Sequence, residues 1–169
     1  MTSEVRLIKV GPAGRSCRDS QSFDLRGCSE ISQIFVSVGG GGIMSIQFQY
    51  VENGKYVLSD RYGSDFNASK FHTIELNHPA EYITGINGLY SDNIKVITFT
   101  TNIQEYGPFG VTHQISFPQS FAYNLGKSYQ FGGFHGSYHH SGLSSIGFYL
   151  CPKIVPPPRL GSKIPKIEA

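Results

Sequence analysis

Tryptophan is absent from this chain, and charged residues, cysteines and long apolar runs are scarce. Only 15% of the 169 residues are charged and the formal net charge is +2, so the chain lacks the strongly basic surface of a typical nucleic-acid-binding protein. No apolar run approaches the ~20 residues that a membrane-spanning helix needs. The composition therefore predicts neither a nucleic-acid partner nor a membrane partner.

The three cysteines, Cys17, Cys28 and Cys151, are odd in number and have no CxxC spacing. The first ten residues, MTSEVRLIKV, contain neither the apolar core nor the cleavage site of a secretory signal. Reduced thiols are typical of the cytosol and the nucleus. We therefore expect a cytoplasmic protein, with the nucleus as a second compartment.

Glycine and aromatic residues are abundant instead, with 20 Gly, 12 Phe and 10 Tyr. This mixture favours strands joined by tight turns, and no segment shows sustained helical periodicity. Three similar strands, GIMSIQF (42–48), NIKVITF (93–99) and GLSSIGF (142–148), begin 51 and then 49 residues apart. In each, a branched aliphatic residue is second, Ile is fifth and Phe is seventh. The repeat predicts an all-β fold of three similar units.

Each repeated strand follows another strand-like segment, in residues 31–38, 81–88 and 130–137. Because glycine-rich or polar turns join the members of each pair, we predict a hairpin in every unit. Asn53-Gly54 is a strong two-residue hairpin signal after the first repeated strand. Three small antiparallel sheets are then expected to direct Ile and Phe toward a shared interior.

The composition changes near the end of the chain. Residues 152–169 contain five prolines, and four basic side chains against one acidic side chain. Proline cannot donate a hydrogen bond to a sheet and favours extended conformations. We predict one domain at residues 1–151 and a flexible, basic tail at residues 152–169, which is either a disordered terminus or a docking segment.

Three segments resemble motifs for cofactor or metal binding, but none matches its motif in full. GKS (126–128) lacks the first glycine of a P-loop, and the glycines at 39–42 suit a turn rather than a dinucleotide loop. His135, His139 and His140 form a histidine-rich tract, but a metal site needs at least three converging ligands, and a polar loop is the favoured interpretation. We expect no enzyme, no cofactor and no metal.

Several segments together resemble the jacalin-related lectins of plants. They are VGPAG (10–14), GIMSIQFQY (42–50), EYITGINGLY (81–90), EYGPFG (105–110) and FGGFHGS with GLSSIGFYL (131–150). The resemblance covers about residues 1–152. It implies a β-prism I fold, with three four-stranded Greek-key sheets about a pseudo-threefold axis, and it implies carbohydrate as a ligand.

Within that family, four segments look most like a branch that is associated with blocking the systemic spread of viruses. They are GIMSIQFQY, GKYVLSDRYG, EYITGI and QFGGFHGSY. This likeness implies a role in plant antiviral defence.

The resemblance also implies where a mannose-type sugar site lies, namely between the loop after the first strand and the turn that enters the last repeated strand. In the family an Asp in that turn accepts hydrogen bonds from two sugar hydroxyls, and Ser144 takes its place here. A hydroxyl cannot hold two donors as a carboxylate does, so we interpret the site as degenerate. The candidate site residues are Gly14, Arg18, Asp19, Tyr138, His140, Ser141, Gly142, Leu143 and Ser144.

The equivalent places in the other two units hold Met44 and Lys95, so no unit has a carboxylate in register. The segment from Gly88 to Asp92 does spell Gly-x-x-x-Asp, but its Asp comes three places early. Tyr90 and Asp92 form a secondary candidate site in this loop.

Two functions stay open. The first is a lectin-fold binding protein that restricts systemic virus movement through protein or glycan contacts, with protein partners and a homo-oligomer among its assemblies. The second is an active lectin that binds mannose or glucose through the loops at 14–19 and 137–144.

Overall fold

Each of the three repeated strands forms, and each lies inside a sheet rather than at its edge. The structure, a computed structural model, describes residues 6–153, so residues 1–5 and residues 154–169 of the predicted tail lie outside the described residues. That part of the chain has no helix long and apolar enough to cross a membrane. Its strands are β1 (Ile8–Gly14), β2 (Gln21–Asp24), β3 (Ile31–Gly39), β4 (Gly42–Glu52), β5 (Lys55–Leu58), β6 (Tyr62–Gly63), β7 (Ala68–Glu75), β8 (Ile83–Tyr90), β9 (Ile94–Thr101), β10 (Glu105–Gly110), β11 (Gln119–Asn124), β12 (Tyr129–His139) and β13 (Gly142–Pro152).

The strands form three antiparallel sheets, as the repeat predicts. Their orders are β1-β13-β12-β2, β10-β9-β8-β11 and β5-β4-β3-β7, with β6 also pairing with β4. Strands β5 and β6 pair with different parts of the same edge of β4, so together they fill one outer position. Each sheet therefore has four positions, and the predicted all-β prism of three four-stranded sheets is confirmed. We call the units by their repeated strands: the β4 unit, the β9 unit and the β13 unit.

The predicted hairpins are confirmed in all three units, where β3 pairs with β4, β8 with β9 and β12 with β13. The turn between β4 and β5 is the two-residue turn that Asn53-Gly54 predicts. Asn53 has a φ of 51° and Gly54 a φ of 74°, and Glu52 pairs with Lys55 across them. Two residues with positive φ give the turn that matches the twist of a hairpin.

The core lies where the three sheets meet. The Ile and Phe side chains of the repeated strands are buried there as predicted, at 0–1% exposure: Ile46, Phe48, Ile97, Phe99, Ile146 and Phe148. Phe134 of β12 joins the β13 unit to the other two, because its ring stacks on Phe48 of the β4 unit, with centroids 4.6 Å apart, and meets Phe99 of the β9 unit edge-on at 6.0 Å. The pseudo-threefold repeat therefore produces one shared aromatic interior.

Three loops leave the prism at equivalent places on one end. In each unit the outer strand ends at a glycine with positive φ: Gly14 (111°), Gly63 (120°) and Gly110 (126°). A Cβ atom on any of these glycines would lie within 2.3 Å of a backbone carbonyl oxygen, so only glycine fits. The next amide donates a hydrogen bond of 3.0–3.1 Å to that same carbonyl: Arg15 to Ser144, Ser64 to Met44 and Val111 to Lys95.

Candidate functional site

The serine in the place of the family's sugar-binding Asp is covered in this structure. Ser144 lies third in its repeated strand, and its side chain is only 4% exposed. The loop between β1 and β2 folds over it and places the Ser20 hydroxyl oxygen 3.4 Å from that of Ser144. The Cys17 amide donates to the Ser20 hydroxyl at 3.0 Å and keeps Ser20 in this position. Ser144 therefore offers neither a carboxylate nor an open hydroxyl.

A chain of hydroxyl groups fixes the same loop to the sheet. The Ser16 oxygen lies 3.0 Å from that of Ser137, which lies 2.6 Å from that of Ser145. Ser137 and Ser145 are buried, so each needs the hydrogen bonds that this chain supplies. These three residues are missing from the sequence-based candidate set. The one signal for them is that Ser recurs at the fourth place of two repeated strands, as Ser45 and Ser145.

Several other predicted residues do come together beside this loop. Asp19, Tyr138 and His140 line an open groove of about 520 Å³ with Gln21, His139 and two residues of the β4 unit, Gly63 and Ser64. The Tyr138 hydroxyl already donates to the Gln21 side chain at 2.7 Å, and the His139 ring nitrogen lies 3.0 Å from the Ser141 hydroxyl. The groove is thus a polar surface whose hydrogen-bonding groups are partly occupied.

The remaining predicted residues do not line this groove. Leu143 is fully buried and Gly142 is buried with it, because Gly142 packs against Ile43 of the β4 unit and Asn93 of the β9 unit. Gly14 faces the Ser144 carbonyl, and Arg18 and Ser141 are exposed on the two flanking turns. The predicted set is therefore split between a core segment and a surface.

The equivalent place in the β4 unit is closed as well. Met44 is 5% exposed, and Asp65, from the loop after β6, directs its partly buried carboxylate toward Ser37 and Ser45 of the sheet. One Asp65 oxygen accepts hydrogen bonds from Ser37, at 2.6 Å, and from Ser45, and the other pairs with Arg61. Burial raises the pKa of Asp65, but the two serine hydroxyls and the Arg61 charge outweigh it and hold that pKa below its usual value.

The secondary candidate, Tyr90 with Asp92, is divided by the structure. The Tyr90 hydroxyl donates to Gln119 at 2.7 Å and its ring packs near Phe121, away from the loop tip. Asp92 projects from the turn between β8 and β9, and its side chain is 84% exposed. A hydrogen bond from Lys95 is the main cause that lowers the pKa of Asp92, so this carboxylate is ionised at neutral pH.

The histidine tract is likewise divided. His135 is 2% exposed, and its Nε2 atom lies 2.8 Å from the Val10 carbonyl oxygen across the sheet. Burial lowers the pKa of His135. His139 and His140 lie in the exposed turn instead, with ring centroids 3.8 Å apart and ring planes tilted by 47°. Within residues 6–153, no group of three or more His, Cys, Asp or Glu side chains is arranged to hold a metal ion.

Comparisons with known proteins agree with this architecture. The chain is 50% identical over 162 residues to Protein RESTRICTED TEV MOVEMENT 1 of Arabidopsis thaliana, covering 89% of this chain and 90% of that protein. It is 49% identical over the same length to an Arabidopsis thaliana relative named Inactive protein RESTRICTED TEV MOVEMENT 1, again covering 89% and 90%. Among solved structures, a mannose-binding jacalin-related lectin from Ananas comosus superposes with a TM-score of 0.70 at 28% identity, covering 87% of this chain and 99% of that one. Residues 10–149 match the family described as Jacalin-like lectin domain, and the chain belongs to that family.

Proposed function

We propose that this chain is a non-catalytic binding protein that restricts the systemic movement of viruses in plants. The observation that carries the proposal is the 50% identity to a protein named for restricting virus movement, spread over 89% of this chain and 90% of that protein. The match extends over nearly the whole chain and is not confined to one segment. The proposal concerns binding rather than chemistry, because the matching family and the similar solved structure are lectins.

Inactivating the gene in its host plant tests the antiviral role. We expect viral RNA to rise in the upper, uninoculated leaves while its level in the inoculated leaf stays the same, and we expect the wild-type chain to reverse the change. The test is necessary because a relative named as inactive is almost equally similar, at 49% identity. Unchanged virus levels in the upper leaves would contradict the proposal.

We further propose that the family's sugar position in the β13 unit is silent toward mannose. Ser144 lacks the second oxygen of a carboxylate and lies under Ser20. Losing a charged acceptor costs about 1.5–3 kcal/mol, which is about ten- to hundredfold in affinity. Since single sugars bind lectins weakly, this loss is enough to abolish measurable binding at this position.

A mannose titration followed by amide NMR shifts checks the silent site. We expect no saturable shifts in residues 15–20 and 138–144 of the wild-type chain. The double variant Ser144→Asp with Ser20→Gly supplies a carboxylate and removes the side chain that covers it, and we expect it to bind mannose at this position. Saturable wild-type shifts there would favour the alternative, an active mannose- or glucose-binding lectin.

The proposal also includes protein partners, a homo-oligomer and a location in the cytoplasm or the nucleus. The edge strand β5 supports the first two, because Tyr56 and Leu58 on it are 71% and 56% exposed. Apolar side chains on an unpaired strand edge favour association. The three cysteines are free thiols, which suits a reducing compartment.

A further inference from the structure

A groove with aromatic walls lies at the end of the prism opposite the candidate sugar loops. Strand β13 runs between the two ends, with Gly142 paired to His139 at the loop end and Pro152 paired to Tyr129 at the other. Beside this second end is a cavity of about 280 Å³, which we call the aromatic groove. Segments before β3, before β8 and at both ends of the β12–β13 pairing converge there. Its lining consists of Ser29, Tyr82, Tyr129, Gln130, Phe131 and Lys153.

The aromatic walls are held in place before any segment binds. Phe131 is 5% exposed, and its ring centroid lies 4.7 Å from that of Phe134 in the core. The Tyr82 amide donates to the Asn102 side chain at 2.9 Å, and the Tyr82 carbonyl accepts from the Asn102 amide at 3.2 Å. The turn between β9 and β10 therefore fixes the backbone of Tyr82, while the residue is still 50% exposed. Preformed walls of this kind lower the cost of ordering on binding.

The chain itself enters this groove at Lys153. The Lys153 amide donates to the Ser128 carbonyl at 3.0 Å, which continues the pairing of β12 with β13 by one residue. The next five residues, IVPPP (154–158), lie outside the described residues, but Ile154 is covalently bonded to a residue that lines the groove. In an extended polyproline conformation, five residues span only about 15 Å. The segment is therefore tethered beside the groove at a high effective concentration.

The composition of this segment suits an aromatic groove. The prolines at 156–158 restrict their own φ angles and disfavour a helical conformation at Val155, so the sequence favours an extended polyproline conformation. Segments of this kind bind grooves lined by aromatic side chains, because they have little conformational freedom left to lose. Their carbonyl groups form no internal hydrogen bonds and need donors. The Tyr82 and Tyr129 hydroxyls and the Gln130 amide bring such donors to the groove.

The charge beside the groove is complementary to the residue that follows the prolines. Glu30 comes directly after Ser29, and its side chain is 58% exposed. The Val51 amide donates to the Glu30 carbonyl at 2.9 Å, which brings the exposed Glu52 to the same region. Arg159 comes directly after the three prolines. Exposed ion pairs contribute little to affinity, so these charges favour one direction of the segment and do not drive its binding.

We propose that the aromatic groove binds residues 154–158 of the same chain in a polyproline conformation. The prolines contact the Tyr82 and Tyr129 rings, and Arg159 lies near Glu30. Bound in this way, the segment covers aromatic surface that would otherwise favour association. The sequence leaves two interpretations of the tail open, a disordered terminus and a docking segment, and the groove supports the second for these five residues. The inference goes beyond the proposed antiviral role and does not depend on it.

Nuclear Overhauser effects (NOEs) in the full-length chain test this proposal directly. We expect NOEs between the side-chain protons of residues 156–158 and the ring protons of Tyr82 and Tyr129. A mixture of isotope-labelled and unlabelled chains separates contacts within one chain from contacts between two copies. The proposal is overturned if these NOEs are absent. It is also overturned if they arise only between copies, since the groove would then bind the tail of a second copy.

Trypsin cleavage after Lys153 measures how strongly the segment is held. Cleavage requires the segment to leave the groove, so its rate follows the population of the open state. Tyr82→Ala removes one aromatic wall, and we expect cleavage after Lys153 to become faster by up to about tenfold. Cleavage after Lys163, outside the bound segment, should keep its rate in the same digest.

Tyr56→Ala is the matched control, because it removes a tyrosine that is 71% exposed on β5, away from the groove. It should leave the rate of cleavage after Lys153 unchanged. Equal rates in the wild type and in Tyr82→Ala would contradict the proposal. None of these results bears on virus movement, so the two proposals fail independently.

Discussion

Replacing Phe134 by Ala is expected to lower the free energy of unfolding by about 3–5 kcal/mol, the usual cost of removing a fully buried aromatic ring. Phe134 has no exposed surface. Its ring centroid lies 4.6 Å from that of Phe48, 4.7 Å from that of Phe131 and 6.0 Å from that of Phe99. These partners belong to all three units, so the cavity would open where the sheets meet. Chemical denaturation followed by circular dichroism or tyrosine fluorescence measures the change.

Phe66→Ala is the matched control, since the same ring is removed from a side chain that is 89% exposed. We expect a change within about 0.5 kcal/mol, as for most surface substitutions. If the two variants were equally stable, the shared aromatic interior would not be what holds the three sheets together.

Most of the fold is predictable from the sequence because its signals are local and occur three times. The repeated Ile and Phe positions predict the buried face of each unit, and Asn53-Gly54 predicts its turn. The division of one outer strand into β5 and β6 has no such signal. The division arises because Ser59 forms hydrogen bonds with both backbone groups of Phe48. The Ser59 hydroxyl accepts from the Phe48 amide at 3.0 Å, and the Ser59 amide donates to the Phe48 carbonyl at 2.8 Å.

The candidate sites are predictable only in part, since they depend on contacts between distant loops. The resemblance to the lectin family implies that a carboxylate is missing at Ser144. The position of Ser20 over Ser144 cannot be predicted in this way. The two residues are 124 positions apart in the sequence, and they meet only because the loop between β1 and β2 folds over Ser144. The pair of Asp92 and Lys95 is different: opposite charges three residues apart in a turn are visible in the sequence and were the available sign of an oriented carboxylate.

Replacing Glu81 by Ala is expected to cost about 3 kcal/mol, because it leaves three hydrogen-bond donors without their acceptor, and one of them is the buried Thr101 hydroxyl. Glu81 is 3% exposed and joins the segment before β8 to the turn between β9 and β10. One of its oxygens accepts from Thr101 at 2.8 Å and from Tyr106 at 2.7 Å, and the other accepts from the Asn77 amide at 2.9 Å. Tyr106→Phe removes one of these donors and should cost only about 1–2 kcal/mol.

The pH dependence of the free energy of unfolding distinguishes the contribution of the Glu81 charge from that of its volume. Burial raises the pKa of Glu81, but hydrogen bonds from Asn77, Tyr106 and Thr101 outweigh it and hold the pKa below its usual 4.5. The folded state therefore binds a proton at Glu81 less readily than the unfolded state does. The ionised group stabilises the fold fully above the usual pKa, and this contribution is lost as the pH falls through the lower pKa of the folded state. Denaturation curves measured from about pH 7 down to about pH 3 should therefore show the gap between wild type and Glu81→Ala narrowing in acid. A gap that stayed constant over this range would mean that the cost comes from the lost volume and not from the charge.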